Sequence, residues 1–342
     1  MSKMPQITTL DDLRQILSDL PGPDVEAARA AQAREPQLTK PQGSLGRLEQ
    51  LAAWTAAWQG RYPPRMDTPN AHVFAGNHGV VKQGVSAFPS EVTKQMVANF
   101  ENGGAAINQM CEAMGVGLCV ESMDLDNPVQ DFTENPAMTD TECAEAIQFG
   151  MNVVDAASDV VCLGEMGIGN TTASSAICYA LYGGNAITWS GPGTGLDKPG
   201  IGKKAEVITI GIKNYKGLMH DGLDALRCYG GREMAAIAGA VIGARLKQVP
   251  VLLDGFVSTT AAAVLQSVNK RALDHCKVGH VSQEPGHKML LDKLGKNPLL
   301  DQNMRLGECT GAVLAVSLLK AAVACHNGMA TFAEAGVSDK EG

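Results

Sequence analysis

The sequence predicts an α/β protein built on a doubly wound, parallel sheet of six strands. Three observations predict it. From about residue 70 onward, short apolar runs alternate with helix-length segments, the mark of repeated βα units. Glycine is abundant at 38 residues and aromatics make up only 4%, a mixture suited to helices lying close on a sheet. Three of the apolar runs end in glycine-rich polar loops, and open α/β sheets bind ligands beyond the carboxyl ends of their strands.

The elements follow in order. Residues 9–20 form an amphipathic helix, with Thr9 placed to cap it and Asp12 to close the capping box. Pro21-Gly22-Pro23 ends it, and an Ala-rich helix follows at roughly 24–35. Gly43 then turns the chain and Ser44 is expected to cap a helix that buries Leu48, Leu51, Trp54 and Trp58. The break at Tyr62-Pro63-Pro64 separates this helical segment from the main body. The expected strands are 71–75, 116–120, 159–163, 186–189, 251–253 and 278–281. Helices are expected at 89–100, 104–114, 140–157, 171–181, 202–215, 232–247 and 259–268. Near the C-terminus, residues 311–325 form an apolar helix of the kind a core buries. Interrupted by Ser317 and Lys320, that run is too short to span a bilayer.

Composition narrows the function. The net charge of −8 and the absence of a basic run longer than Lys203-Lys204 argue against nucleic acid and anionic membranes as partners. Nine cysteines are scattered singly with no Cys-x-x-Cys, so they read as reduced core thiols of a cytoplasmic protein, and no zinc-ligand spacing is present. The polar start carries no signal-peptide pattern. No Asp cluster suggests Mg²⁺, and neither His78 nor His287 has a triad partner at a motif spacing. No metal and no cofactor are expected.

The chemistry centres on Arg305-Leu-Gly-Glu-Cys-Thr-Gly-Ala312, where Glu308 stands between two glycines at the mouth of the apolar helix. Burial raises such a carboxyl group's pKa while the helix N-terminus lowers it. Glu308 is therefore either a general base or a helix cap. Gly164–Thr172 opens a helix through Asn170 and Thr171, where free N–H groups and hydroxyls suit a phosphate. Glu165 within it would repel phosphate, and it suits ribose hydroxyls or a developing cation instead. A second glycine loop at 191–195 leads into a helix carrying Lys204, placed to reach back toward a phosphate. Gly286-His287-Lys288, after Ser282-Gln283-Glu284-Pro285, is another loop that opens a helix. Two carboxyl groups, two glycine loops and a lysine fit a phosphorylated ribose whose anomeric carbon becomes cationic.

Five motifs, in order, carry a resemblance. Pro41-Gln-Gly-Ser-Leu-Gly-Arg-Leu-Glu49, Gly76-Asn-His-Gly79, Gly164-Glu-Met-Gly-Ile-Gly-Asn-Thr-Thr172, Pro250-Val-Leu-Leu-Asp-Gly-Phe256 and Arg305–Ala312 resemble the nicotinate-nucleotide–dimethylbenzimidazole phosphoribosyltransferase family. The resemblance runs from about residue 10 to about residue 330. It implies a Rossmann-like six-stranded sheet, with a large α/β domain at 60–285. It also implies a smaller helical domain formed by both chain termini, 1–59 plus 286–342, and a homodimer. The substrates it implies are nicotinate mononucleotide and 5,6-dimethylbenzimidazole or a related azole base. It assigns Glu308 as catalytic base, Glu165 and Lys204 to the ribosyl and phosphate end, and Phe88 and Met96 to the benzimidazole. The substrate-binding residues expected in all are Phe88, Met96, Leu306, Gly167, Asn170, Thr171, Gly193 and Ser282. The chain departs from the family at Phe88 and Met96, polar in some members, at Asn77, aspartate in some, and at Cys309, where glycine is common. A nucleotide hydrolase or phosphatase, or a catalytically silent nucleotide or azole sensor, are the competing functions.

Overall fold

The computed structural model describes residues 4–338. Five strands form one parallel sheet: β1 (Pro69–Ala75), β2 (Gly117–Ser122), β3 (Val160–Met166), β4 (Val251–Leu253) and β5 (Cys276–Val278), in the order β2-β1-β3-β4-β5. The chain winds outward in both directions from β1 and β3, so the order reverses between those two strands.

The helices are α1 (Leu10–Ser18), α2 (Val25–Arg34), α3 (Arg47–Gln59), α4 (Glu91–Glu101), α5 (Ala106–Met114), α6 (Asp140–Val153), α7 (Asn170–Tyr182) and α8 (Ala186–Trp189). They continue with α9 (Lys198–Tyr215), α10 (Gly222–Tyr229), α11 (Arg232–Leu246), α12 (Phe256–Val268), α13 (Pro285–Leu294), α14 (Thr310–Gly328) and α15 (Phe332–Ala335).

Period-2 alternation buries both sheet faces. Val161 and Leu163 of β3 join one core cluster with residues of α6, α7, α11 and α12, while Val160 and Cys162 join the other with residues of α5 and α14. On the first face α6 and α11 approach to backbone contact: a Cβ on Gly239 would lie 1.9 Å from the Ile147 carbonyl oxygen.

Local caps follow from sequence. Thr9 and Asp12 close the expected box on α1, and Asp24 caps α2 by accepting from the Ala27 N–H. Ser44 is not a cap: α3 begins at Arg47, after Gly46, whose φ of +55° turns the chain into it.

The sixth strand expected at 186–189 is instead the short helix α8. The Ser190 hydroxyl donates to the Ala186 carbonyl, and the Trp189 indole donates to the Gly183 carbonyl, folding the segment back on itself. Helix α14 is also longer than the apolar run suggested. Its 19 residues meet the length and hydropathy of a membrane span. Here Ala312, Val313, Val316 and Leu319 are buried in the core cluster that holds the second sheet face.

Candidate functional site

A cavity of about 280 Å³ opens at the carboxyl end of the sheet. Its walls come from the ends of β3 (Glu165, Met166, Gly167), the segment after β4 (Gly255, Phe256, Val257), the segment after β5 (Ser282, Glu284) and the loop Arg305-Leu306-Gly307. Of the expected residues, Glu165, Gly167, Asn170, Thr171, Gly193, Ser282, Leu306 and Phe88 line it. Glu308, Lys204 and Met96 do not. The first glycine loop, Gly76–Gly79, is also no wall: it supports the floor, with the Gly76 carbonyl oxygen 2.6 Å from a Cβ built on Gly167.

Glu308 sits directly behind Gly307. Gly307, Glu308 and Cys309 hold φ of +82°, +59° and +67°, so two residues with side chains occupy a region that L residues rarely adopt. The chain passes there because Gly307 lies against Glu165: a Cβ on it would stand 2.7 Å from Glu165 Oε1. The Glu308 N–H donates to the Glu165 carbonyl oxygen at 3.2 Å, which ties the two motifs together through main chain. The same crowding fixes Gly164, where a Cβ would meet the Cys309 nitrogen at 2.2 Å.

The cap of α14 is not Glu308. Asp254, at the end of β4, accepts from the Gly311 N–H (2.7 Å) and the Ala312 N–H (3.0 Å) through Oδ1. Glu308 is thereby left out of capping. Burial, and then the nearby Asp254 charge, push its pKa up to about 7. Glu165 is raised well above the usual carboxyl range, first by burial and then by Asp254, Glu233 and Glu308. The Asn170 side-chain amide donates to its Oε2. Two neighbouring carboxyl groups, both with raised pKa, are therefore held together at the cavity.

At the other end, Lys204 is fully buried and donates to Thr171 Oγ1 at 2.8 Å and to the Gly191 carbonyl at 3.3 Å. It thus joins the two glycine loops from behind the wall. Burial lowers its pKa to about 8, against the opposing pull of Glu284. Glu284 accepts from the Gly193 N–H at 2.9 Å, and Arg305 donates to the Gly193 carbonyl at 3.0 Å, so both shape the same loop. His287 accepts the Ser282 N–H on Nδ1 and meets Thr259 Oγ1 through Nε2, which makes Nε2 the protonated nitrogen of the neutral ring. Burial holds its pKa down to about 3. Phe88 and Leu306 are about half exposed at the mouth, whereas Met96 packs against the second core cluster.

Sequence reasoning missed Asp254 as the cap of α14, Glu284 and Arg305 as supports of Gly193, and the buried pair His78–Glu233 at 2.8 Å. His78 and Glu233 are 155 residues apart, so no local spacing marks them. Asp254 did leave a signal, an acidic residue at a strand end.

The phosphoribosyltransferase family model matches residues 20–337. The chain belongs to that family. Among similar family members is the nicotinate-nucleotide–dimethylbenzimidazole phosphoribosyltransferase of Rhizobium meliloti (strain 1021), 54% identical over 331 residues, covering 97% of this chain and 98% of that one. The protein of the same name from Ruegeria pomeroyi is 55% identical over 336 residues, covering 98% and 99%. Among solved structures, CobT from Thermus thermophilus superposes with a TM-score of 0.83 at 37% identity, over 92% of this chain and 100% of that one. The family therefore accounts for the whole α/β body and the loops that line the cavity.

Proposed function

We propose that the protein transfers phosphoribose from nicotinate mononucleotide to 5,6-dimethylbenzimidazole or a related azole base, giving α-ribazole 5′-phosphate and nicotinate. The observation that carries the reading is the pair of carboxyl groups, Glu165 in the cavity wall and Glu308 behind it, linked by one backbone hydrogen bond. The names of the relatives at 54% and 55% identity support the substrates.

In this mechanism the azole lies between Phe88 and Leu306, and the phosphate binds at Thr171, Gly193 and Ser282, with Lys204 supplying positive charge from behind. Met96 lies outside the cavity lining and supports the base end only through the core it packs against. Glu308, directly behind Gly307 at the cavity wall, takes the azole N–H proton. The other azole nitrogen attacks C1′ of the ribose as the C1′–pyridinium bond breaks, and the bonding pair leaves on the ring nitrogen of nicotinate, whose pyridine ring is then uncharged. Attack from the opposite face inverts the anomeric centre from β to α. Burial, and then the acidic groups of Asp254, Glu233 and Glu308, raise the pKa of Glu165 well above the usual carboxyl range. Arrival of the pyridinium and the oxocarbenium-like ribose favours its ionised form. Asn170 and Gly167 hold that carboxyl group and its loop in place. Positioning and one base carry the acceleration, the base contributing on the order of 10²–10⁴.

Incubation with nicotinate mononucleotide and a panel of azoles, with products identified by mass, tests the reading. An azole nucleotide is expected. Ribose 5-phosphate or free phosphate alone would mean hydrolysis, and binding of both substrates without turnover would mean a sensor.

We further propose a homodimer and a cytoplasmic location. Ile187 of α8, Ile210 of α9 and Leu218 in the turn after it, all about half exposed, support the first. Nine unpaired cysteines support the second. The helical unit built from both termini is proposed to comprise α2, α3 and the C-terminal half of α14, joined by Arg34 to the His326 and Met329 carbonyls and by Glu35 to His326. Within the ranges 1–59 and 286–342, α1 and α13 contribute instead to the core of the main body.

A further inference from the structure

At the free edge of the sheet, away from the cavity, three metal-ligating side chains meet. His72 of β1 pairs in register with Cys119 of β2, and Phe74 pairs with Glu121. Side chains alternate along a strand, so Cys119 and Glu121 project from the same face, and register puts His72 there too. Their ligand atoms all lie within 4.8 Å of one another. His72 Nδ1 is already 3.2 Å from a Glu121 carboxylate oxygen. The Phe74 ring stacks on the imidazole, with centroids 6.0 Å apart and planes at 20°, and so fixes its orientation.

We propose that His72, Cys119 and Glu121 form a site for a zinc ion that clips β2 to β1. Imidazole, thiolate and carboxylate are the three donor types zinc accepts, at bond lengths of about 2.0–2.3 Å. Tetrahedral donors at those lengths stand roughly 3.3–3.8 Å apart. The His–Glu spacing already meets this. The Cys119 thiol, on the exposed edge strand, closes the remainder by a small side-chain rotation. Three protein ligands leave a fourth position for water on the solvent side. Zinc selects this set over magnesium or calcium, which prefer oxygen donors alone. An edge strand offers unpaired backbone on its outer side, and a metal clip is a direct way to hold it.

The test uses the full-length protein, stripped with a chelator and titrated with Zn²⁺ by calorimetry and with Co²⁺ by absorption. One equivalent of either ion is expected, with a thiolate-to-cobalt charge-transfer band in the near ultraviolet and a raised melting temperature in Zn²⁺. C119S should abolish the band and weaken zinc binding at least about tenfold. E121Q should weaken binding while retaining the band. No stoichiometric binding by the wild type, or a band and affinity unchanged in C119S, would overturn the proposal. None of the three residues lines the cavity, so phosphoribosyl transfer by C119S should match the wild type, and the two readings stand or fall separately.

Discussion

Glu308 and Glu165 bear the same functional group, and burial together with neighbouring acidic groups raises the pKa of both. Glu308, near about 7, is partly ionised at neutral pH, as a base requires. Lys204, near about 8, is still mostly charged there, as a phosphate requires. The pH profile of kcat/KM should therefore be a bell, rising through about 7 and falling through about 8. E308Q should lower kcat on the order of 10²–10⁴ and remove the acid limb. K204M should raise KM for the nucleotide and flatten the alkaline limb. A flat profile in the wild type would contradict both assignments.

Stability carries the opposite mark. The folded pKa of Glu308 lies above its ordinary 4.5, so the fold favours the protonated form. That contribution is complete below about 4.5 and is lost as pH rises through about 7. E308Q does not titrate. Its melting temperature relative to the wild type should therefore climb between pH 5 and pH 8, measurable by calorimetry. A constant difference would mean that Glu308 ionises without cost in the fold.

At the level of elements, α14 is set by Asp254 and by the tight passage of 307–309 past β3. D254A removes the acceptor of two buried N–H groups and should cost about 1–3 kcal/mol or more. It also frees the strained turn that holds Glu308, so activity should fall further than stability alone explains. Denaturant melts alongside kcat measure the two separately. The contact of α6 with α11 makes a second prediction. G239A forces a methyl group onto the Ile147 carbonyl and should lower stability by roughly 1–3 kcal/mol, because packed helices yield little. An unchanged midpoint would show that the two helices can part.

At the scale of the molecule, the sheet closes the distance between motifs far apart in sequence. β3 lies between β1 and β4, so the Glu165 motif meets the Asp254 segment, and α14 enters beside both. The two carboxyl groups are 143 residues apart (308 − 165) yet share a backbone hydrogen bond. The proposed dimer belongs to this scale as well. Light scattering should return twice the chain mass, and I210D, on the exposed side of α9, should return the chain mass alone. A wild-type monomer would remove the dimer from the proposal.

Much of this was legible from residues alone. Alternating apolar runs determined a parallel sheet, because strands buried on both faces must be apolar throughout. Two of the three glycine loops at strand ends line the cavity, as do eight of the eleven expected residues. The tertiary structure alone decided the rest. Ala186-Ile-Thr-Trp189 is too short for its period to distinguish helix from strand, and its hydrogen bonds chose helix. Whether Glu308 caps α14 depended on another acceptor reaching that helix, and Asp254 arrives from a strand end more than fifty residues earlier. Lys204, Glu284 and the His78–Glu233 pair likewise act through partners that only folding brings near. Local pattern encodes what each segment buries, whereas the proton affinity of a buried group depends on every charge the fold sets around it.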